Sequence, residues 1–125
     1  AAAVVTAEKH DLFGKLLVIE ALPGTQGIYG FLVAVIVMVR IGILGGGVAN
    51  LTMEQGWSFF GDCMPIAIVG LISATFQAQT AVSAILMTAK EPGSSAKGIT
   101  MAALVETYAI LALLVSILLV FGIQV

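Results

Sequence analysis

Hydrophobic residues fall into three long runs separated by short polar stretches. The runs cover about residues 16–39, 64–89 and 99–120, and each reaches the ~20 residues that an α-helix needs to cross the hydrocarbon layer of a membrane. A lone span in lipid satisfies its backbone polar groups only as a helix, and the short alternating segments of a barrel are not seen. The pattern therefore predicts an all-α chain with transmembrane helices at about 12–44, 57–89 and 97–123, in one membrane-embedded domain over residues 1–125.

Glycine and proline mark the connections between these helices. Three glycines at 45–47 open a loop, and the sequence Glu-Pro-Gly-Ser-Ser at 91–95 predicts a tight turn. Four lysines flank the spans on the side of that turn: Lys9, Lys15, Lys90 and Lys97. By the positive-inside rule this side is cytoplasmic, and Arg40, at the opposite end of the first span, is expected to extend to the interface.

The composition agrees with a membrane location and excludes several other classes. The chain is 60% hydrophobic and only 10% charged, whereas a soluble domain carries about 25% charged residues. A net charge of −2 without a basic run gives no support for nucleic-acid binding. The single His10 and single Cys63 lie far apart in the sequence, so neither an internal disulfide nor a His/Cys metal site is expected.

A connector pattern occurs twice along the chain, with an offset of 82 residues. Residues 7–9 (Ala-Glu-Lys) match 89–91 (Ala-Lys-Glu), Lys15 matches Lys97, and Ala-Leu at 21–22 matches Ala-Leu at 103–104. Such duplication is typical of membrane proteins built from repeated helical hairpins. Together with the alanine-rich first residues, it predicts a four-helix protein whose first helix is missing or truncated in this chain.

Polar side chains lie deep inside each of the three spans. Glu106 lies in the third span, Gln77 in the second and Gln26 in the first, about 9, 13 and 11 residues from the nearest flanking lysine. At ~1.5 Å per residue these depths agree within roughly 6 Å. A carboxylate inside a membrane span usually has a functional role, because placing its ionised form in hydrocarbon costs on the order of 3 kcal/mol or more. The simpler alternatives are a protonated Glu106 in a structural hydrogen bond and amides that join helices.

The first span presents oxygen donors on one helical face. Leu22, Thr25, Gln26 and Tyr29 follow the spacing i, i+3, i+4 and i+7. Pro23 lies among them and leaves a backbone carbonyl free, although a simple kink explains it equally well. One carboxylate with several neutral oxygens suits a singly charged hard cation, whereas a divalent ion draws more carboxylates. Small residues, including glycines at 24, 27 and 30 on the first span and Ser73 on the second, predict close helix packing.

Three segments together resemble the K, or proteolipid c, subunit of bacterial sodium-pumping V-type ATPases. They are Leu-Pro-Gly-Thr-Gln-Gly-Ile-Tyr-Gly at 22–30, Gln77, and Val-Glu-Thr-Tyr-Ala-Ile-Leu at 105–111. The resemblance implies a four-helix protomer in a membrane rotor ring, which carries Na⁺ and is not catalytic alone. It implies the partners: identical subunits in a ring, a stator subunit with a basic residue, central stalk subunits and lipid. It also implies a bacterial plasma membrane location.

The resemblance also implies a role for each site residue. Glu106 is the essential carboxylate, the side chains of Thr25, Gln26 and Gln77 and the carbonyl of Leu22 bind Na⁺, and Tyr29 closes the site. These six residues are Glu106, Gln77, Gln26, Thr25, Leu22 and Tyr29. Gln26 is expected to stand in the first hairpin where the second has Glu106.

Two other functions remain open. The same rotor carrying H⁺ is the first, although a proton needs only the carboxylate, and the extra oxygens favour Na⁺. A small proton-coupled multidrug exporter is the second. It requires an aromatic-lined cavity near Glu106, for which Tyr29, Phe76 and Tyr108 are the candidates.

Overall fold

The computed structural model describes residues 1–47 and 50–124, and within these ranges the chain contains helices and turns but no strands. The α-helices are α1 (Ala2–Glu8), α2 (Phe13–Ala21), α3 (Thr25–Arg40), α4 (Met53–Lys90) and α5 (Ser95–Gly122). Short 3-10 turns lie at His10–Leu12, Leu22–Gly24 and Pro92–Ser94. The prediction of an all-α fold is confirmed.

Within the described residues, three helical segments are long and apolar enough to cross a membrane: His10–Arg40, Met53–Lys90 and Pro92–Gly122. The first begins with the 3-10 turn at His10–Leu12, and the turn at Leu22–Gly24 joins its helices α2 and α3. Large apolar side chains lie exposed along all three, including Phe31, Leu71 and Leu118. Together with the apolar composition, this makes the chain an integral membrane protein.

The ends of the spans differ from the predicted ones for local reasons. The first span ends with α3 at Arg40 rather than near residue 44, because the chain then turns through Gly42 and Gly46. Their φ angles of 85° and 81° lie in the left-handed region, which favours glycine. The second span, α4, begins at Met53 rather than 57. The Thr52 hydroxyl accepts a hydrogen bond from the backbone N–H of Gln55, and the Gln55 side-chain oxygen accepts one from the backbone N–H of Thr52. Together these two bonds form a capping box.

The helices α4 and α5 form a closely packed antiparallel hairpin. A methyl group placed on Gly98 would lie 2.7 Å from the Ala84 Cβ, so the two backbones approach as closely as glycine permits. The buried side of α5 consists mostly of small residues: Gly98, Ala102, Glu106, Ala109, Ala112, Ser116 and Val120. Glu106 is the largest polar member of this face, and the small residues around it leave room for side chains from neighbouring helices.

A second contact joins α4 and α5 at Pro65, inside α4. A proline in a helix removes one backbone hydrogen bond and disturbs the next turn. Here the amide of the following residue, Ile66, donates 3.1 Å to the Oγ of Ser116 on α5. Ser116 is fully buried, so the proline position is stabilised by a cross-helix hydrogen bond.

The two connectors of the predicted repeat have the same backbone form. Lys9 and Glu91 are both extended, with φ, ψ of −135°, 82° and −133°, 91°, and each is followed by a 3-10 turn. Each amide also donates 2.8 Å to the carbonyl four residues earlier. The Nζ of Lys9 donates to the Ala89 carbonyl, and that of Lys15 donates 3.1 Å to the Pro92 carbonyl. The lysine-bearing connectors therefore lie together at one end of the molecule.

Arg40 holds the opposite end of the bundle. Its guanidinium lies 5.6 Å from the centre of the Phe121 ring and donates to the Ile123 carbonyl just beyond α5. A cation at the carboxyl end of a helix also interacts favourably with the helix dipole. Arg40 therefore ties the end of the first span to the end of the third.

The core has an apolar layer on each side of a polar one. Towards the connectors, Leu16 and Ile19 pack with residues of α1 and α4. In the other half, Val33, Ile66 and Ala112 join all three spans. Four buried polar residues lie between these layers along the helices: Gln26, Ser73, Gln77 and Glu106.

Candidate ion-binding site

The first span changes helix type where its polar residues begin. Pro23 lies in the 3-10 turn at Leu22–Gly24, immediately before α3, and it has no N–H to donate to the preceding turn. The hydroxyl of Thr25 donates 2.8 Å to the Leu22 carbonyl. The Thr25 oxygen also lies 3.3 Å from Oε1 of Gln26. Backbone, hydroxyl and amide oxygens therefore lie side by side on the inner face of this span.

Two glutamine side chains connect the first span to the hairpin of α4 and α5. The Nε2 of Gln26 donates 2.6 Å to Oε1 of Gln77 and 3.2 Å to Oγ of Ser73. The Nε2 of Gln77 in turn donates 2.9 Å to the Ala102 carbonyl on α5, and the hydroxyl of Ser73 donates 3.3 Å to the Val105 carbonyl. Gln77 is fully buried and Gln26 is 7% exposed, so these bonds are shielded from solvent.

The carboxyl group of Glu106 is buried in the same layer. Glu106 is 8% exposed, and its Oε1 accepts a hydrogen bond from the hydroxyl of the half-buried Tyr29 on α3. The contacts of Gln77 and Ser73 on α5 fall one turn before and immediately before Glu106. Each of the three spans thus supplies polar side chains to one level.

This donor set consists of one carboxylate and several neutral oxygens. Within the described residues no group of three His, Cys, Asp or Glu side chains lies close enough to hold a metal ion. Oxygen ligands suit hard cations, and the charge of one carboxylate balances a single positive charge. The layer can therefore hold a singly charged cation, or a proton on Glu106 alone.

The structure brings all six predicted site residues to this layer: Glu106, Gln77, Gln26, Thr25, Leu22 and Tyr29. The expected match between Gln26 and Glu106 in the two hairpins is less direct. The connectors are offset by 82 residues, which pairs Glu106 with Gly24. Gln26 reaches the layer from two residues further along α3, because its long side chain extends to Gln77.

Two further observations concern small residues. The glycines at 24, 27 and 30 are exposed, and a methyl group on any of them would have no atom of another described helix within 4 Å, so they do not serve packing between these helices, and their packing against other protomers of a ring stays a prediction. Ser73 is predicted only as a small packing residue, yet it bonds to both Gln26 and the Val105 carbonyl. A serine in an apolar helix gives no sequence signal that separates these two roles.

Of the three aromatic residues considered for an exporter cavity, Tyr29 bonds to Glu106 in the buried layer, whereas Phe76 and Tyr108 lie outside it. Phe76 is 57% and Tyr108 66% exposed. Both line an open, apolar cleft of about 390 Å³ on the outer surface of the α4–α5 hairpin, together with Val69, Ile72, Ser73 and Val105. They do not enclose a cavity around Glu106.

Comparison with known proteins identifies the family. The family model for the ATP synthase C subunit matches residues 1–37 and 60–119, which include every residue of the buried polar layer. The chain belongs to the ATP synthase C subunit family. Members of this family are parts of rotary ATPases, so the chain is not an enzyme by itself.

Two relatives place the chain more narrowly within this family. The V-type sodium ATPase subunit K of Enterococcus hirae is 42% identical over 122 residues, which are 98% of this chain and 74% of that protein. The A-type ATP synthase subunit K of Methanocaldococcus jannaschii is 36% identical over 118 residues, or 94% of this chain and 50% of that protein. The resemblance to proteolipid subunits of V-type ATPases is confirmed.

Proposed function

We propose that this chain is the rotor subunit that binds Na⁺ at Glu106 and carries it across the membrane. The observation that carries the proposal is the buried Glu106, bonded to Tyr29 at the level where Gln26 and Gln77 join the three spans. The name of the Enterococcus hirae relative, a sodium ATPase subunit, supports Na⁺ as the ion. A proton would require only Glu106, whereas the neutral oxygens beside it are the ligands of a hard cation.

The physical basis is the cost of a bare charge in hydrocarbon. An ionised Glu106 facing lipid costs on the order of 3 kcal/mol or more. Na⁺ bound by Glu106 neutralises the charge, and the oxygens of Thr25, Gln26, Gln77 and the Leu22 carbonyl replace water around the ion. A loaded protomer can then pass through lipid with a much smaller penalty, while an empty one requires a cationic partner.

Some residues of the site bind the ion, and others position and shield Glu106. The hydroxyl of Tyr29 donates to Glu106, and a hydrogen bond to a charged group contributes about 1.5–3 kcal/mol. The apolar layers on both sides, which include Ile19 and Val33, exclude water from the carboxylate. Loading and release therefore require a change of surroundings, which a rotating ring supplies at its stator.

The proposal includes the setting of the protomer. Identical copies form a ring in the bacterial plasma membrane, a stator subunit supplies the basic residue that attracts the empty Glu106, and central stalk subunits connect the ring to the parts that hydrolyse ATP. The lysine-bearing connectors lie together at one end of the helical bundle, and by the positive-inside rule this end faces the cytoplasm.

Glu106→Gln in the complete ATPase tests the proposal. The variant keeps the size and hydrogen-bonding ability of the side chain but removes its charge, so the ring is expected to assemble while ²²Na⁺ uptake into vesicles falls to background. Glu20→Gln is the matched control, because Glu20 lies exposed in the first span and the loss of its charge should leave uptake unchanged.

Chemical modification of Glu106 in the wild-type ring separates the two candidate ions. Protection of Glu106 from dicyclohexylcarbodiimide by Na⁺ supports Na⁺ as the cargo. Modification that depends on pH but not on Na⁺ indicates H⁺ instead. Normal ²²Na⁺ uptake by the Glu106→Gln ring would refute the role of Glu106 altogether.

A further inference from the structure

Ser73 lies at the centre of the buried layer without being an expected ligand. It is 5% exposed, and its Oγ lies 3.2 Å from Nε2 of Gln26 and 3.3 Å from the carbonyl oxygen of Val105. Other serines and threonines of α4, such as Ser83 and Thr88, bond to carbonyls of their own helix. Ser73 instead joins α3 to α5, beside Glu106.

The direction of each hydrogen bond around Ser73 is determined by chemistry. A backbone carbonyl only accepts, so the single hydroxyl proton of Ser73 goes to Val105. Its oxygen must then accept from Gln26, and only the amide nitrogen of that side chain can donate. The Val105 carbonyl thus determines which end of the Gln26 amide faces Ser73.

A second carbonyl imposes the same orientation from the other side. Ala102 accepts from Nε2 of Gln77, which turns Oε1 of Gln77 towards Gln26. That oxygen also requires a donor, and the 2.6 Å contact supplies the Gln26 amide nitrogen. Both amide protons of Gln26 are therefore used, and its Oε1 points away from Ser73 and Gln77 towards Thr25.

We propose that Ser73 is a positioning residue that orients the Gln26 amide so that its oxygen faces the transported cation. This inference rests on the proposed function. Without Ser73 one amide proton of Gln26 loses its partner, and only the bond to Gln77 then keeps the amide nitrogen turned away from the ion, so the amide is held less firmly in the orientation that presents its oxygen. The expected effect is on cation affinity and not on the stability of the ring.

The simplest competing role for Ser73 is helix packing, and Ser116 provides the comparison. Ser116 is a fully buried serine at the same α4–α5 interface, bonded to the Ile66 amide. It lies about 15 Å from Glu106 along α5, ten residues further on. Ser116→Ala therefore removes an equivalent cross-helix bond outside the layer.

The experiment measures how much Na⁺ protects Glu106 from dicyclohexylcarbodiimide in membranes that contain the complete ATPase. Ser73→Ala is expected to raise the half-protecting Na⁺ concentration about three- to tenfold, the loss of one buried hydrogen bond. The KM for Na⁺ in ATP hydrolysis should rise equally at unchanged kcat. Ser116→Ala should leave both values at the wild-type level, and Ser73→Thr, which keeps the hydroxyl, should restore most of the affinity.

A double variant tests whether Ser73 acts through Gln26. In a Gln26→Leu ring the addition of Ser73→Ala should cause no further loss, because the amide that Ser73 orients is absent. Additive losses, or an unchanged Ser73→Ala ring beside a weakened Gln26→Leu ring, would overturn the inference alone. A wild-type ring without any Na⁺ protection would overturn the proposed cargo and this inference with it.

Discussion

Replacing Gln77 with leucine is the most informative single change within the polar layer. Gln77 is fully buried, and leucine has nearly its volume, so the change removes polar atoms without opening a large cavity. It deletes two hydrogen bonds, one from Gln26 at 2.6 Å and one to the Ala102 carbonyl at 2.9 Å. It also deletes one of the proposed Na⁺ ligands.

The substitution should weaken Na⁺ binding more than it weakens assembly of the helices. Hydrogen bonds between membrane helices contribute about 0.6 kcal/mol each, and the Ala102 carbonyl keeps its helical partner, so assembly should lose only about 1 kcal/mol. A polar contact to a charged group is worth about 1.5–3 kcal/mol. The loss of the Gln77 oxygen should therefore weaken Na⁺ binding about 10- to 100-fold, and the effect on the ion exceeds the effect on the fold.

The assay is the Na⁺ dependence of ATP hydrolysis by the complete ATPase, with ring content measured in the same membranes. Gln79→Leu is a close control, because Gln79 is two residues away on α4 but exposed. Its half-saturating Na⁺ concentration should equal that of the wild type. An assembled Gln77→Leu ring with a wild-type Na⁺ dependence would show that α4 contributes nothing to the ion site.

The remaining predictions concern the carboxylate and the hairpin. Tyr29→Phe removes the hydrogen bond to Glu106 and should raise the half-saturating Na⁺ concentration about tenfold or more without abolishing transport; equal Na⁺ dependence in both rings would contradict this role. Gly98→Val should reduce ring content in membranes, because even a methyl group would lie 2.7 Å from the Ala84 Cβ. Gly61→Val, where nothing lies within 4 Å, should leave ring content unchanged, and equal losses would indicate a general effect of valine.

Most of the fold can be predicted from the sequence because lipid imposes few choices. Apolar runs of membrane length become helices, and the polar residues among them are conspicuous. The shared depth of Gln26, Gln77 and Glu106 follows from helix rise and the flanking lysines alone. The structure confirms that these side chains lie in one buried layer.

Other features are missed when only the apolar runs are read. The second span begins four residues early because Thr52 and Gln55 cap each other, and this Thr-x-x-Gln capping box is a local signature that lies outside the apolar run. Ser73 is one of several small polar residues on α4, and only the packing of three helices makes it a partner of Gln26. The exposed glycines of the first span show the reverse, since a helical face of small residues does not identify what packs against it.

In the proposed function, Glu106 and oxygens from the other two spans hold one Na⁺. A structure of the assembled ring, determined at high resolution in Na⁺, tests it most directly. We expect ion density bounded by the Glu106 carboxylate and the side-chain oxygens of Thr25, Gln26 and Gln77. Ion density elsewhere in the ring, or a Glu106 carboxyl group bonded to Tyr29 with no ion beside it, would refute the proposed site.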